Sequence, residues 1–250
     1  MLLFLHIFAV LISPFIGSYL QCRADRARTD CEDPRWSRCD HCGVRLAWND
    51  LLPIWSWLSR RGRSRCCDKP LGRRLLVAEV MALVVTEWAL LATTGMVSLV
   101  SILLGWTLLG LALFDWQNFR LPDIATLPLI LVGIGLSAAG LTGPLLEHAL
   151  GATIGYAVLV AIREAYRRWR GIEGLGLGDA KLLAAAGAWV GLFALPSVLL
   201  IACITGLLHA MALAGTADRM RRDLAIPFGP ALCVGFWLTW LHGPLTAAIH

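Results

Sequence analysis

Charged residues are scarce in this chain, at 16% of its 250 residues, while hydrophobic residues account for 58%. A soluble domain carries about 25% charged residues and about 45–50% apolar residues. The shortage of charge therefore excludes an ordinary soluble domain and indicates a membrane protein. The sequence also lacks a strong internal repeat and a low-complexity tract, which excludes a repeat array.

Basic residues are absent from every second connection between the long apolar segments. These segments are Met1–Leu20, Leu75–Thr93, Val97–Phe114, Ile124–Gly140, Leu145–Ile162, Lys181–Phe193, Leu195–Ala214 and Ile226–Ala248. Most of them reach the roughly 20 residues that cross a hydrocarbon core, and Lys181–Phe193 is short. The sequence predicts an all-α polytopic membrane protein with about eight transmembrane helices.

The basic residues that are present mark one side of the membrane. They concentrate in residues 21–74, around Arg120, in Arg163–Lys181 and in Arg219–Arg222. Because basic connections face the cytoplasm, these segments define a cytoplasmic side on which Asp115 and Asp179 also lie. The net charge of +5 comes from these short segments, so we expect no nucleic-acid partner.

No basic residue precedes the first apolar segment, whereas arginines follow it directly. A cleaved signal peptide carries its positive charge before the apolar stretch instead. We therefore expect residues 1–20 to form a retained first transmembrane helix with its N-terminus outside. Residues 21–74 then form a small cytoplasmic cysteine-containing domain, and residues 75–250 form a membrane domain of seven helices.

Two aspartates, Asp115 and Asp179, lie at the ends of apolar segments, where an ionised carboxylate is costly. On one side of the membrane they predict a carboxylate pair that shares a proton and activates water. The alternative is that both aspartates are helix caps at the water interface. Asp115 ends a segment rather than starting one, which disfavours a cap there, and Asp123 fits the cap role better.

Other polar or flexible residues accompany this pair. Gly176 and Gly178 precede Asp179 and permit backbone conformations closed to other residues, which would bring a substrate strand close. They lack the preceding strand and the spacing of a dinucleotide site. Lys181 is expected either to contact substrate or a carboxylate, or to extend to the membrane interface. Glu79 lies within an apolar segment and is expected to pair with a polar group of another helix.

Several motifs together resemble the bacterial type IV prepilin leader peptidases, which are members of the GxGD aspartyl protease group. The matching residues are Gly176-Leu177-Gly178-Asp179-Ala180-Lys181-Leu182-Leu183, Asp115 with Leu121-Pro122-Asp123 and Thr126-Leu127-Pro128, Ile226-Pro227-Phe228-Gly229-Pro230, Gly17-Ser18-Tyr19-Leu20, Trp48-Asn49 with Pro53, Arg61-Gly62-Arg63, and Val77-Ala78-Glu79. The resemblance covers nearly the whole chain in order. Asp179 follows Asp115 by 64 residues, a separation that also suits the family.

The resemblance implies that Asp115 and Asp179 are the catalytic pair of a membrane peptidase and that residues 75–250 are its peptidase domain. It implies cleavage of prepilins and pseudopilins after a glycine at the cytoplasmic face of the bacterial inner membrane. It further implies methylation of the new N-terminus with S-adenosylmethionine, for type IV pilus or type II secretion assembly. Glu79 matches a family position and is expected to contact the substrate or the methyl donor. Gly176, Gly178 and Lys181 are the other candidate substrate-binding residues.

Two other function classes remain open from the residues alone. A polytopic transporter or channel would use carboxylates at the membrane boundary to relay protons or cations. Carboxylates at the ends of spans favour access to a cytoplasmic substrate over such a relay. A catalytically idle assembly protein is the third class, and the intact aspartate pair argues against it.

Six of the eight cysteines lie in residues 21–74, which is too short a segment to bury a large core without a staple. Cys39 and Cys42 have the spacing of half a tetrahedral zinc site. Similar family members carry a second such pair after the Arg-Gly-Arg run, where this chain has Ser64-Arg65-Cys66-Cys67. We expect a structural zinc held by Cys39, Cys42, Cys66 and Cys67, with Cys31 and His41 as alternatives for the fourth ligand, and no catalytic zinc. The alternative is a fold of this segment without zinc.

Overall fold

The structure is a computed structural model that describes residues 2–29, 39, 41–45, 47, 52–171, 174–216 and 227–245. The described ranges contain nine α-helices and no strand, which confirms the all-α class. The helices are α1 (Leu2–Thr29), α2 (Trp55–Ser59), α3 (Arg73–Ala92), α4 (Met96–Asn118), α5 (Asp123–Ala138), α6 (Leu145–Arg170), α7 (Leu177–Val190), α8 (Leu195–Thr216) and α9 (Gly229–His242). Predictions on Cys31, Trp48, Asn49, Arg219–Arg222 and Ile226 lie outside the described ranges.

Each of the eight predicted apolar segments overlaps one helix of at least 14 residues, and α2 is an additional short helix. Five helices, α1, α3, α4, α6 and α8, include stretches long and apolar enough to cross a membrane. The protein is therefore a multi-pass membrane protein. The other three, α5, α7 and α9, have only 16, 14 and 14 residues, and α9 is much shorter than its predicted segment.

Two helices extend furthest beyond the ends that the apolar pattern predicts. α1 continues past Leu20 to Thr29, and α6 continues past Ile162 to Arg170. Arginine is a good helix former, so a helix does not stop where the apolar residues stop. α6 ends where Gly171 adopts a left-handed conformation and donates its N–H to the Arg167 carbonyl, a common helix C-terminus.

The chain forms two compact units, unit 1 (Met1–Asn118) and unit 2 (Phe119–His250). In unit 1, α1 packs against α3 and α4, and α3 packs against α4. Gly17 lies so close to α3 that a methyl group on it would overlap the Ala78 carbonyl oxygen. Trp106 on α4 donates its indole N–H to Thr86 on α3, at 2.9 Å. The predicted division into residues 1–20, 21–74 and 75–250 stays a prediction.

In unit 2, the short helix α7 lies among the other four and buries ten of its 14 residues. It meets α6 backbone to backbone, because Gly187 faces Gly151 with no space for a side chain on either. Such small-residue contacts are how helices approach most closely in a membrane. The Trp189 indole N–H donates to the Leu129 carbonyl of α5 at 2.8 Å, so α7 is also fixed to α5.

Candidate active site and cysteine cluster

Asp115 lies in the last turn of α4 and is buried, with 6% of its surface exposed. The helix extends beyond its predicted end at Phe114 and finishes at Asn118, after which Phe119 has a left-handed φ of 52°. The Asn118 side chain donates to the carbonyl oxygens of Phe114 and Ala24, at 3.1 and 3.3 Å. The end of α4 that carries Asp115 is therefore anchored to α1.

Asp179 lies in the first turn of α7, where Gly176 is the N-cap, and has 8% of its surface exposed. An acidic side chain is favourable at this end of a helix because the helix dipole is positive there. A Cβ on Gly176 would lie 3.4 Å from the Asp179 Oδ2 atom. Asp115 belongs to unit 1 and Asp179 to unit 2.

Of the two glycines before Asp179, Gly178 is required for space, and neither is required for an unusual backbone angle. Gly176 has a φ of −76°, and Gly178 lies inside α7, so the expectation of conformations closed to other residues is wrong for both. A Cβ on Gly178 would lie 2.8 Å from the Leu121 Cβ. The start of α7 therefore packs directly against the residues that lead into α5.

Lys181 forms an ion pair with Asp123, with its Nζ atom 2.6 and 2.7 Å from the two carboxylate oxygens. The side chain of Asp123 is 57% exposed and that of Lys181 is 25% exposed. The cap predicted for Asp123 is wrong, because Pro122 is the N-cap of α5 and no side chain caps this helix. Asp123 instead uses its carboxylate to fix the start of α5 to α7.

Glu79 is buried inside α3, with 3% of its surface exposed, and has its polar partners within unit 1. Its Oε2 atom accepts the backbone N–H of Ile54 at 2.7 Å, and the Ser18 hydroxyl is a second partner. Ile54 has a φ of 58°, which is a strained conformation for a β-branched residue. The buried carboxylate thus fixes the strained start of α2 to a membrane helix.

Cys39, Cys42, Cys66 and Cys67 come together, with all four sulfur atoms within 4.8 Å of one another. The Cys42–Cys66 distance is 3.1 Å, the Cys39–Cys67 distance is 3.8 Å and the Cys66–Cys67 distance is 4.0 Å. Zinc bonded to four thiolates at about 2.3 Å requires sulfur atoms about 3.8 Å apart, so the cluster fits a tetrahedral ion. His41 contacts the Pro70 carbonyl instead, at 3.3 Å.

The thiols of this cluster differ in acidity. Hydrogen bonds, first from Ser64 and then from the backbone N–H groups of His41 and Cys42, lower the pKa of Cys39 to about 6. The neighbouring Cys66 raises the pKa of Cys42 to about 12. Crowded thiols cannot all ionise without a cation, whereas a bound metal deprotonates the thiols that coordinate it.

Two of these features had no signal in the sequence pattern: the strained Ile54 and the contact of Ser64 with the cysteines. For Lys181 the sequence indicates a carboxylate partner, but not that the partner is Asp123. Ser64 stands out in the sequence only as a missing cysteine. A pattern of residue types shows which side chains are present, but it does not show which loop reaches which helix.

Two family models match most of the chain. Residues 11–93 match the bacterial peptidase A24 N-terminal domain, and residues 102–211 match the type IV leader peptidase family. No solved structure matches the chain.

Curated relatives carry the name prepilin leader peptidase/N-methyltransferase. The protein of Aeromonas hydrophila is 36% identical over 208 residues, which cover 83% of this chain and 71% of the relative. That of Burkholderia pseudomallei is 40% identical over 211 residues, or 83% and 67% of the two chains. That of Dichelobacter nodosus is 34% identical over 208 residues, or 83% and 71%. This chain therefore belongs to the type IV leader peptidase family.

Proposed function

We propose that this protein cleaves the leader peptides of type IV prepilins and pseudopilins after a glycine, with Asp115 and Asp179 as its catalytic residues. The observation that carries the proposal is that these two carboxylates are both buried at helix ends, inside the region that matches the peptidase family. Burial of an ionisable group at a membrane helix end is costly and indicates a functional role.

The chemistry follows from two carboxylates that act on one peptide bond. One, ionised, takes a proton from the attacking water, while the other, protonated, donates its proton to the carbonyl oxygen, which gives a tetrahedral diol. When the diol breaks down, the first carboxyl gives the proton from water to the leaving amine and the second takes a proton back from the diol, so both carboxylates return to their starting states. Two nearby carboxylates do not both ionise, so one stays protonated near neutral pH. The proposal needs no metal for this step, because the carboxylates supply both the base and the acid.

The positions of the basic residues support an active site that faces the cytoplasm. Arg120 follows Asp115, and Arg163–Arg170 precede Asp179, so both aspartates lie next to basic connections. We place the protein in the bacterial inner membrane, with prepilin substrates for pilus or type II secretion assembly. Gly176, Gly178, Lys181 and Glu79 are proposed to contact the substrate or the residues around it.

A second activity, methylation of the new N-terminal amine, is proposed from the family and from the names of its members. S-adenosylmethionine would be the methyl donor. The glycines at the start of α7 follow a loop, and the described residues contain no strand that would form a nucleotide-binding turn. Those glycines therefore do not form a dinucleotide-type site for the methyl donor.

A structural zinc is proposed for the cysteine cluster, held by Cys39, Cys42, Cys66 and Cys67. The sulfur distances above support four thiolate ligands, and a set of four leaves no open position for water or substrate. When bound, the ion would join Cys39 and Cys42 to Cys66 and Cys67. Its role is therefore stability of unit 1 rather than hydrolysis.

The decisive experiment is cleavage, in membranes, of a prepilin with a Gly–Phe junction. We expect the wild-type protein to cleave it and both Asp115→Asn and Asp179→Asn to insert normally and show no cleavage. Glu164→Gln is the matched control, because Glu164 is a carboxylate in the same matched region that only pairs with Arg167 and Arg168. Cleavage that survives both aspartate substitutions would exclude the proposed mechanism.

A further inference from the structure

Two turns of the same backbone pattern carry the cysteine cluster; we name them the first turn (39–44) and the second turn (64–69). In the first turn, Gly43 donates its N–H to the Cys39 carbonyl and Cys39 donates to the Val44 carbonyl, both at 2.9 Å. In the second turn, Asp68 donates to the Ser64 carbonyl at 3.0 Å and Ser64 to the Lys69 carbonyl at 2.9 Å.

The fifth residue of each turn shares one further property. Gly43 has a φ of 70° and Asp68 a φ of 54°, so both turns pass through a left-handed residue at the same place. The two turns therefore align position by position. Cys42 and Cys67 both stand in fourth place, and Ser64 stands in first place, where the first turn has Cys39.

The second turn supplies its other sulfur from the third place, at Cys66. That sulfur lies 3.1 Å from Cys42 and 4.0 Å from Cys67, within the range of a shared ion. The third place of the first turn is His41, whose ring contacts the Pro70 carbonyl outside the cluster. Compared with the first turn, the second turn thus carries its other cysteine two positions later, at Cys66 instead of position 64, and keeps two cysteines.

Ser64 lies beside the cluster although its side chain carries no sulfur. It is 5% exposed, and its Oγ atom lies 3.4 Å from the Cys39 sulfur and 3.1 Å from the Cys66 sulfur. A metal-bound thiolate only accepts hydrogen bonds, so the hydroxyl must donate its single hydrogen to one of these sulfurs. Groups that hydrogen-bond to ligands fix the orientation of those ligands and raise the affinity for the metal.

We propose that one thiophilic divalent cation is held by Cys39, Cys42, Cys66 and Cys67, with the adjacent pair Cys66–Cys67 both acting as ligands and Ser64 acting as a positioning residue. This inference rests on the structural zinc proposed above and is independent of the aspartate chemistry. It makes a specific claim, namely that positions 64 and 66 are alternative places for the same ligand.

The test uses cobalt(II) as the probe on the purified full-length protein, because its visible spectrum reports the number of thiolate ligands. We expect one equivalent with a four-thiolate spectrum for wild type, and a three-thiolate spectrum for Cys66→Ser. The double change Ser64→Cys with Cys66→Ser should restore the four-thiolate spectrum. Ser64→Ala should keep that spectrum but weaken cobalt binding by about 10-fold or more. Cys203→Ser, outside the cluster, is the control.

Each contrary result overturns a definite part of the proposal. A wild-type spectrum for Cys66→Ser would remove Cys66 from the ligand set, and failure of the double change to restore the spectrum would refute the equivalence of positions 64 and 66. A changed ligand count in Ser64→Ala would make Ser64 a ligand. No cobalt binding by wild type would overturn the metal site and this inference together, while prepilin cleavage by the same sample would leave the peptidase standing.

Discussion

Units 1 and 2 hold their functional candidates in place by different means. In unit 2, α7 is fixed by backbone contact with α6, where Gly151 and Gly187 leave no space between the helices. In unit 1, the segment 52–71 is fixed by polar chemistry. The buried Glu79 accepts the Ile54 N–H, and the thiols of Cys66 and Cys67 lie against those of Cys39 and Cys42. Steric contact fixes a helix whatever the solution conditions, whereas hydrogen bonds and thiols depend on particular side-chain atoms.

This difference indicates how each unit should respond to substitution. Any enlargement at a glycine contact in unit 2 forces helices apart, so size is the sensitive variable there. In unit 1 the shape of a side chain can be kept while its chemistry changes, so polarity is the sensitive variable. The following substitutions separate the two, from the largest expected effect to the smallest.

Gly187→Leu should have the largest effect, because even a Cβ at this position overlaps the backbone of Gly151. Overpacking costs about 1–3 kcal/mol when side chains can move, and more here because the obstacle is backbone. We expect a sharp fall in the thermal unfolding temperature and loss of prepilin cleavage. Gly135→Leu is the control, since nothing lies within 4 Å of a Cβ there. Equal stability of the two variants would contradict the backbone-contact account.

Glu79→Ala should destabilise unit 1 by about 1–3 kcal/mol, because it leaves the Ile54 N–H without its acceptor. Glu79→Gln keeps an acceptor oxygen and should cost less. Thermal unfolding and hydrogen exchange of the Ile54 amide measure the two effects. Glu87→Gln on the same helix is the control, since Glu87 is exposed. Unchanged exchange at Ile54 in Glu79→Ala would show that the contact does not fix this segment.

Trp189→Phe tests whether a hydrogen bond also matters in unit 2. It removes the donor to the Leu129 carbonyl but keeps an aromatic ring in the core. The expected cost is about 0.5–1.5 kcal/mol, measured as a lower unfolding temperature. Trp169→Phe, at a position 79% exposed, should change nothing. A loss as large as that of Gly187→Leu would mean that polar contacts dominate unit 2 as well.

Lys181→Gln should have the smallest effect on stability, about 0–1 kcal/mol, because the pair with Asp123 is partly exposed. If Lys181 contacts the substrate as proposed, the variant should raise KM for prepilin while the unfolding temperature stays nearly constant. The double variant with Asp123→Asn shows how much of the stability change comes from the ion pair. An unchanged KM would restrict Lys181 to that pair.

Long apolar segments and basic connections were sufficient to predict the membrane class and the place of each long helix. They did not predict where α1 and α6 end, since the tolerance of arginine in a helix leaves no boundary at the last apolar residue. The apolar pattern also overestimated the length of α9. This helix ends at His242, and Gly243 follows with a φ of 79°.

The sequence indicated the cysteines and aspartates as candidates, because both residue types stand out in an apolar chain. The structure supports the cysteine set by distance. It corrects the reason for Gly178, which is close packing against Leu121, and the role of Asp123, which is an ion pair with Lys181. These corrections concern contacts between segments distant in sequence, and a single sequence carries no information about such contacts.

The short helices of unit 2 set a condition on the surrounding lipid. With 14–16 residues at about 1.5 Å each, α5, α7 and α9 extend about 21–24 Å, less than the roughly 30 Å of a hydrocarbon core. A bilayer adapts to short segments by becoming thinner beside them. The distance between water and the start of α7 therefore depends on the acyl-chain length of the membrane as well as on the protein.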